Sequence, residues 1–220
     1  MDKSLLHSQH KTATVRILAN EACSRTMPIE NEYKFPLNDP DGTLERTMET
    51  HPDFQKITIR QGYLRKGCRV REWNEGPNGK HRFIFSYKHR VEDDVVEIET
   101  DIEEDDFNRL WTVAEKPVEK IRFKKVEGTI IWDVDFLKHN GVTYFALAEV
   151  ELPAEDREVP SVPDILKNHA MGRMERHCKA LTNKRLSDPD YAARVMDAFI
   201  KHKPLPPAED IILKADLINI

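Results

Sequence analysis

Ile29-Glu30-Asn31-Glu32-Tyr33-Lys34-Phe35 sets Glu30, Glu32 and Lys34 at every second position, with Ile29, Asn31, Tyr33 and Phe35 between them. Extended backbone turns successive side chains to opposite faces, so this run reads as a strand with one charged and one mostly apolar face. The same sorting works along the chain. Arg69 and Arg71 share a face, as do Ser86, Lys88 and Arg90. Glu97 and Glu99 alternate with Val96 and Ile98, and Lys120, Arg122 and Lys124 with Ile121 and Phe123. Asp133 and Asp135 alternate with Trp132, Val134 and Phe136, and Glu149 and Glu151 with Ala148, Val150 and Leu152.

A half-buried antiparallel strand ordinarily turns its polar face to water, and any one of these runs fits that description. Together they do not, because the faces are charged almost throughout and the signs segregate by strand. Closing such a sheet with the charged faces inward gives a polar tunnel with acidic and basic walls, its apolar exterior left for helices to cover. Charges enclosed this way need neutralising. Ion pairs between the walls supply part of that; a polyanion on the basic wall and hard divalent cations on the carboxylates supply the rest. Oxygen-only ligands suit Mg²⁺ or Mn²⁺ better than zinc, and the ligand that fits is a polyphosphate.

Turn signals at Asn38-Asp39-Pro40-Asp41-Gly42, Gly76-Pro77-Asn78-Gly79 and His139-Asn140-Gly141 separate the runs. Three zones follow: an arm over 1–27 that is weakly ordered or a short helix, an antiparallel β domain over 28–155, and a helical extension over 156–220 packing on or near it. Inside the β domain, Phe107, Leu110, Trp111 and Ala114 have helical spacing and predict a helix over Glu103–Glu115. Two more are expected at Pro163–Arg185 and Pro189–His202, with Pro204, Pro206 and Pro207 stopping the second.

Composition narrows the function. Thirty-four basic against thirty-nine acidic side chains give a net charge of −5, so no global basic field draws the chain to nucleic acid. No run approaches the roughly 18 apolar residues of a spanning helix, and no membrane is expected. Cys23, Cys68 and Cys178 are too few and too scattered for a disulfide scaffold or a zinc site; with no signal-peptide core after Met1-Asp2-Lys3, a cytoplasmic protein is expected. His169, His177 and Cys178 match no compact zinc spacing, and His81 and His89 read as ordinary strand histidines.

Glu30-Asn31-Glu32-Tyr33-Lys34 resembles the E-x-E-x-K signature of the triphosphate tunnel metalloenzymes, the CYTH superfamily. The later elements stand in that family's order: Arg69 and Arg71, Lys88, Glu97 and Glu99, Lys120 and Arg122 after a helix, Asp133 and Asp135, and Ala148 to Leu152. The resemblance covers about residues 29 to 153. It implies an α+β fold, an eight-stranded antiparallel β-barrel with a polar lumen, flanked by helices and followed by a helical C-terminal extension. It implies metal-dependent hydrolysis of a small-molecule triphosphate, with Glu30, Glu32, Glu149 and Glu151, and Asp135 or Glu99 in support, holding Mg²⁺ or Mn²⁺. Lys34, Arg69, Arg71, Lys88, Arg90, Arg122 and Lys124 would clamp the phosphates, and Glu32, Lys34 and Lys88 would serve catalysis. A class IV type adenylyl cyclase and a non-catalytic triphosphate-binding module remain as alternatives, and a homodimer is left open. The paired carboxylates speak against a mere binder, which needs only the basic clamp.

Overall fold

The computed structural model describes residues 31–91, 94–153, 156, 158–172, 175–176 and 178–207. The arm over 1–27, Glu30, Cys23, His177 and the chain's last residues therefore lie outside the described residues. Eight long strands form one antiparallel sheet: β1 (Glu32–Leu37), β2 (Gln55–Tyr63), β3 (Cys68–Asn74), β4 (His81–Val91), β5 (Asp94–Ile102), β6 (Glu115–Glu127), β7 (Ile130–His139) and β8 (Val142–Glu151). A two-residue strand, β9 (Glu175–Arg176), adds to β1. The spatial order is β5-β4-β3-β2-β6-β7-β8-β1-β9, an α+β arrangement with flanking helices. Among the described residues the expected barrel is not closed by hydrogen bonds: β5 and β9 are the two ends of the strand order. Backbone pairing therefore leaves a seam where a complete barrel would have a ladder.

Alternation decides what each face buries. Phe35 and Leu37 of β1, Phe123 of β6, Trp132, Val134 and Phe136 of β7 and Ala146, Ala148 and Val150 of β8 form a core on the outer face. Helix α1 (Thr43–Met48) covers it with Leu44 and Met48. This short helix, not anticipated from the sequence, follows directly on the expected turn at Asn38-Asp39-Pro40-Asp41-Gly42. Asp39 makes it: its two carboxylate oxygens accept from the Leu44 and Glu45 amides at 2.9 and 3.0 Å, satisfying donors a short helix leaves open. Helix α2 (Glu104–Trp111) lies within its predicted span and covers β3 and β4, packing Phe107 against Phe83 at a tilt and placing the Arg60 guanidinium over the Phe107 and Trp111 rings. Asn140 and Gly141 both take positive φ, 51° and 78°, as the tight β7–β8 hairpin requires.

The helix expected over Pro163–Arg185 is not continuous. The segment divides into α3 (Asp164–Lys167), β9, a 3-10 turn at Lys179–Leu181 and α4 (Asn183–Leu186). Two causes are visible. Gly172 takes φ 68°, outside the helical region, and the residues before it pair with the edge of β1: Asn38 N–H donates to the His169 carbonyl at 2.8 Å and Met171 N–H to the Pro36 carbonyl at 2.9 Å. Satisfying an open strand edge outweighs the helical periodicity. Helix α5 (Pro189–Ile200) forms nearly as expected, capped by the Asp188 carboxylate, which accepts from the Asp190 and Tyr191 amides. No helix among the described residues is long and apolar enough to cross a membrane, and Cys68 and Cys178 are free thiols.

Candidate active site

Strand register brings the charged faces together. Lys34 stands opposite Glu149, Glu149 opposite Asp133, Asp133 opposite Lys124, and Asp135 opposite Arg122. On the other limb Gln61 stands opposite Arg71, Arg69 opposite Ser86, and Lys88 opposite Glu97. This face is concave. The strand order separates β2 from β8 by β6 and β7, yet Tyr63 of β2 packs against the cluster that holds Phe145 and Leu147 of β8. At one end of the concavity Val118, Leu137, Phe145 and Leu147 form a second core with Leu181, Leu186, Ala192 and Val195 of the C-terminal segment, which thus covers that end. Asn183 of α4 reaches within 3.4 Å of the Lys120 ammonium.

The floor of the cavity is a buried ion network. Asp135 is 0% exposed; it accepts from Arg122 Nε and Nη2, both at 2.7 Å, and from Lys120. Arg122 also donates to Asp133 and, at 3.2 Å, to Glu149. Lys34 bridges Glu149 at 2.6 Å and Glu32 at 3.0 Å. Burial alone would raise the Asp135 and Glu149 carboxyls, but the neighbouring cations outweigh it and hold both below the usual carboxylate range. Burial likewise opposes the Lys34 ammonium, and Glu149 with Glu32 outweighs it, raising the group above an ordinary lysine. Lys120 goes the other way: burial and the adjacent Arg122 push it down to about 8 despite Asp135.

The opposite limb is cation-rich and less well paired. Arg69 donates to Ser86 at 2.7 Å and to Glu97, whereas Arg71 meets Glu99 only at 3.4 Å. The Arg71 side chain is 13% exposed, and its Nε has no hydrogen-bond partner among the described residues. Burial and the adjacent Arg69 guanidinium pull Arg71 down to about 10. Lys88 lies 3.8 Å from Glu97. Gly67, at φ 82°, packs against the Lys88 carbonyl, where a Cβ would sit 2.3 Å away. Lys124 stands 4.0 Å from Asp133 with its ammonium over the Trp73 ring.

Carboxylates crowd where β1, β7 and β8 meet. Glu32 faces Glu151 and Asp133 faces Glu149 directly across the ladder, an arrangement that like charges disfavour. Asp133 Oδ1 is buried without a hydrogen-bond partner among the described residues, with the Lys124 ammonium 4.0 Å away, and partial burial together with Asp133 raises the Glu151 carboxyl above its usual range. The donors here are all oxygen, the kind a hard divalent cation takes, but among the described residues no three of them converge into a metal-holding group as they stand.

The expected site residues thus fall into groups. Glu32, Lys34, Glu149 and Glu151 are neighbours on β1 and β8; Arg69, Arg71 and Lys88 are neighbours on β3 and β4. Asp135 and Arg122 bond mainly to each other, and Glu99 sits on the far limb beside Arg69 and Arg71, not with the other carboxylates. Arg90 lies on β4 opposite Val95. Four participants stood outside the expected set: Lys120, Asp133, Glu97 and the Gln61–Tyr63 pair. The first three were legible as members of charged faces; their partners required the register.

No family model matches this chain, and no curated protein matches it. Solved structures share its outline weakly. A Pyrococcus horikoshii protein is 14% identical with a TM-score of 0.40, over 58% of this chain and 80% of that one. A Bacillus halodurans protein described as a “putative adenylate cyclase” is 13% identical with a TM-score of 0.43, over 62% and 95%. A conserved hypothetical protein of Pyrococcus furiosus is 13% identical with a TM-score of 0.38, over 63% and 84%.

Proposed function

We propose that the concave face binds a triphosphate and that the protein hydrolyses it with a divalent cation, releasing orthophosphate. The observation that carries this reading is Arg71, a largely buried guanidinium beside Arg69 that meets Glu99 only at 3.4 Å and whose Nε has no hydrogen-bond partner among the described residues. A loosely compensated buried cation is costly, and an anion that supplies several oxygens to Arg71, Arg69 and Lys88 removes the cost. Facing it, Glu32, Asp133, Glu149 and Glu151 would hold Mg²⁺ or Mn²⁺. When bound, such an ion neutralises charge on phosphate oxygens and acidifies a bound water. The chain's own contribution is positional. Arg69, Arg71, Lys88 and Lys124 fix the phosphate chain, Lys34 keeps Glu32 and Glu149 in place through its two ion pairs, and the C-terminal segment shields one end from bulk water.

The test is to incubate the purified chain with tripolyphosphate, ATP or thiamine triphosphate, with Mg²⁺, with Mn²⁺ and with chelator, and to identify products. Cation-dependent orthophosphate release is expected; cyclic nucleotide with pyrophosphate would replace hydrolysis by cyclisation, and no turnover at all would remove the enzymatic reading. Glu32→Gln and Lys34→Ala should each lower turnover at least about tenfold, equivalent to about 1.4 kcal/mol of transition-state stabilisation.

A further inference from the structure

Gln61 and Tyr63 of β2 face the cavity as the register partners of Arg71 and Arg69. Gln61 is fully buried, and its Nε2 donates to the Tyr63 hydroxyl oxygen at 2.9 Å. With that oxygen already accepting, the phenolic proton is directed elsewhere. Lys34, Arg69 and Arg71 all lie close enough to act on the phenol, and as cations they are donors only. Those three can offer its proton no acceptor; the competing acceptor is Gln61 Oε1, buried without a partner among the described residues, which would take the proton if the amide were turned over. Burial also pushes the phenol up to about 12, so it keeps that proton throughout the neutral range.

An oriented hydroxyl on the strand paired with that of Arg69 and Arg71, where Arg71 Nε has no hydrogen-bond partner among the described residues, is a donor array awaiting acceptor oxygens. We infer that the Tyr63 hydroxyl, positioned by Gln61, donates a hydrogen bond to the bound phosphate chain next to Arg71. This rests on the reading that the cavity takes a polyphosphate and adds a neutral member to a clamp otherwise made of charged groups. A neutral donor contributes direction without adding to the repulsion among Lys34, Arg69 and Arg71, which a further lysine would increase. A purely structural role is the alternative, because Tyr63 also packs against the core that includes Leu147 and Leu186.

Calorimetric titration of the full chain with inorganic tripolyphosphate separates the two. Tyr63→Phe keeps the ring and its packing, so its melting temperature should stay near that of the wild type while affinity falls about tenfold or more, the usual loss for a hydrogen bond to a charged group. Gln61→Leu should weaken binding comparably, and the double variant should bind no worse than the weaker single one, since both remove the same contact. Wild-type binding with Tyr63→Phe unchanged overturns this inference and leaves the polyphosphate reading standing. Failure of the wild type to bind tripolyphosphate overturns the polyphosphate reading. Additive losses in the double variant overturn the positioning role of Gln61.

Discussion

Replacing Asp135 with asparagine keeps its shape and removes one negative charge from the most deeply buried part of the ion network. Arg122 and Lys120, the latter 2% exposed, would then face each other across a neutral amide. Removing one partner of a buried pair typically costs about 3–5 kcal/mol, because the remaining charge has no route back to water. Glu149 and Asp133 still contact Arg122 and keep the loss toward the lower end of that range. Urea is the appropriate denaturant, since it does not screen charge. With a slope of about 3 kcal/mol per molar for a protein of this size, the midpoint should fall by about 1 to 1.5 M at pH 7. The effect has a definite pH signature. The native carboxyl lies below its unfolded value of about 3.9, so its stabilisation is complete above that value and is lost as pH falls through the native one. The gap between wild type and Asp135→Asn should therefore hold from pH 7 to pH 5 and narrow only below about pH 4. A midpoint within about 0.3 M of the wild type at pH 7, or a gap that does not narrow in acid, would refute the argument.

Arg71→Gln should move stability and binding in opposite directions: unfolding free energy unchanged or higher by about 1 kcal/mol, because an under-compensated buried cation is gone, and tripolyphosphate affinity down at least about tenfold. Parallel urea and calorimetric titrations check both signs. Glu151→Gln should weaken Mn²⁺ binding about tenfold by calorimetry while leaving the circular dichroism spectrum unchanged, since this carboxylate faces Glu32 across the ladder and its charge is already disfavoured by burial and by Asp133. Gly62→Ala tests packing of β2 against helix α2. A Cβ there would sit 2.7 Å from that of Ala114 and 3.2 Å from the Trp111 ring, so a loss of about 1–3 kcal/mol in urea unfolding is expected.

The sheet was legible because strand periodicity is a local property. Glu32 and Lys34, Arg122 and Lys124, and Glu149 and Glu151 were sorted to one face without knowing what lay opposite. Pairing was not legible, since it depends on register. Nothing in the order Lys120, Arg122, Asp133, Asp135 indicates that Asp135 bonds to Arg122 through both oxygens while Asp133 keeps one oxygen unpartnered. Helices failed where tertiary demand overrode local pattern. Asp39 looked like a turn residue and became a cap; the stretch near Gly172 looked helical, and the open edge of β1 drew it into bridges at Leu37 and Ala170 instead. Tyr63 carries no motif in the sequence; its place in the site comes from Gln61, two residues earlier on the same face and hydrogen-bonded to it.

The apolar seal that Leu181 and Leu186 make over Phe145 and Leu147 gives the cavity a blind end. Under the proposed function a phosphate chain would therefore enter from the opposite end or through the gap between β5 and β9, and could not thread past that seal.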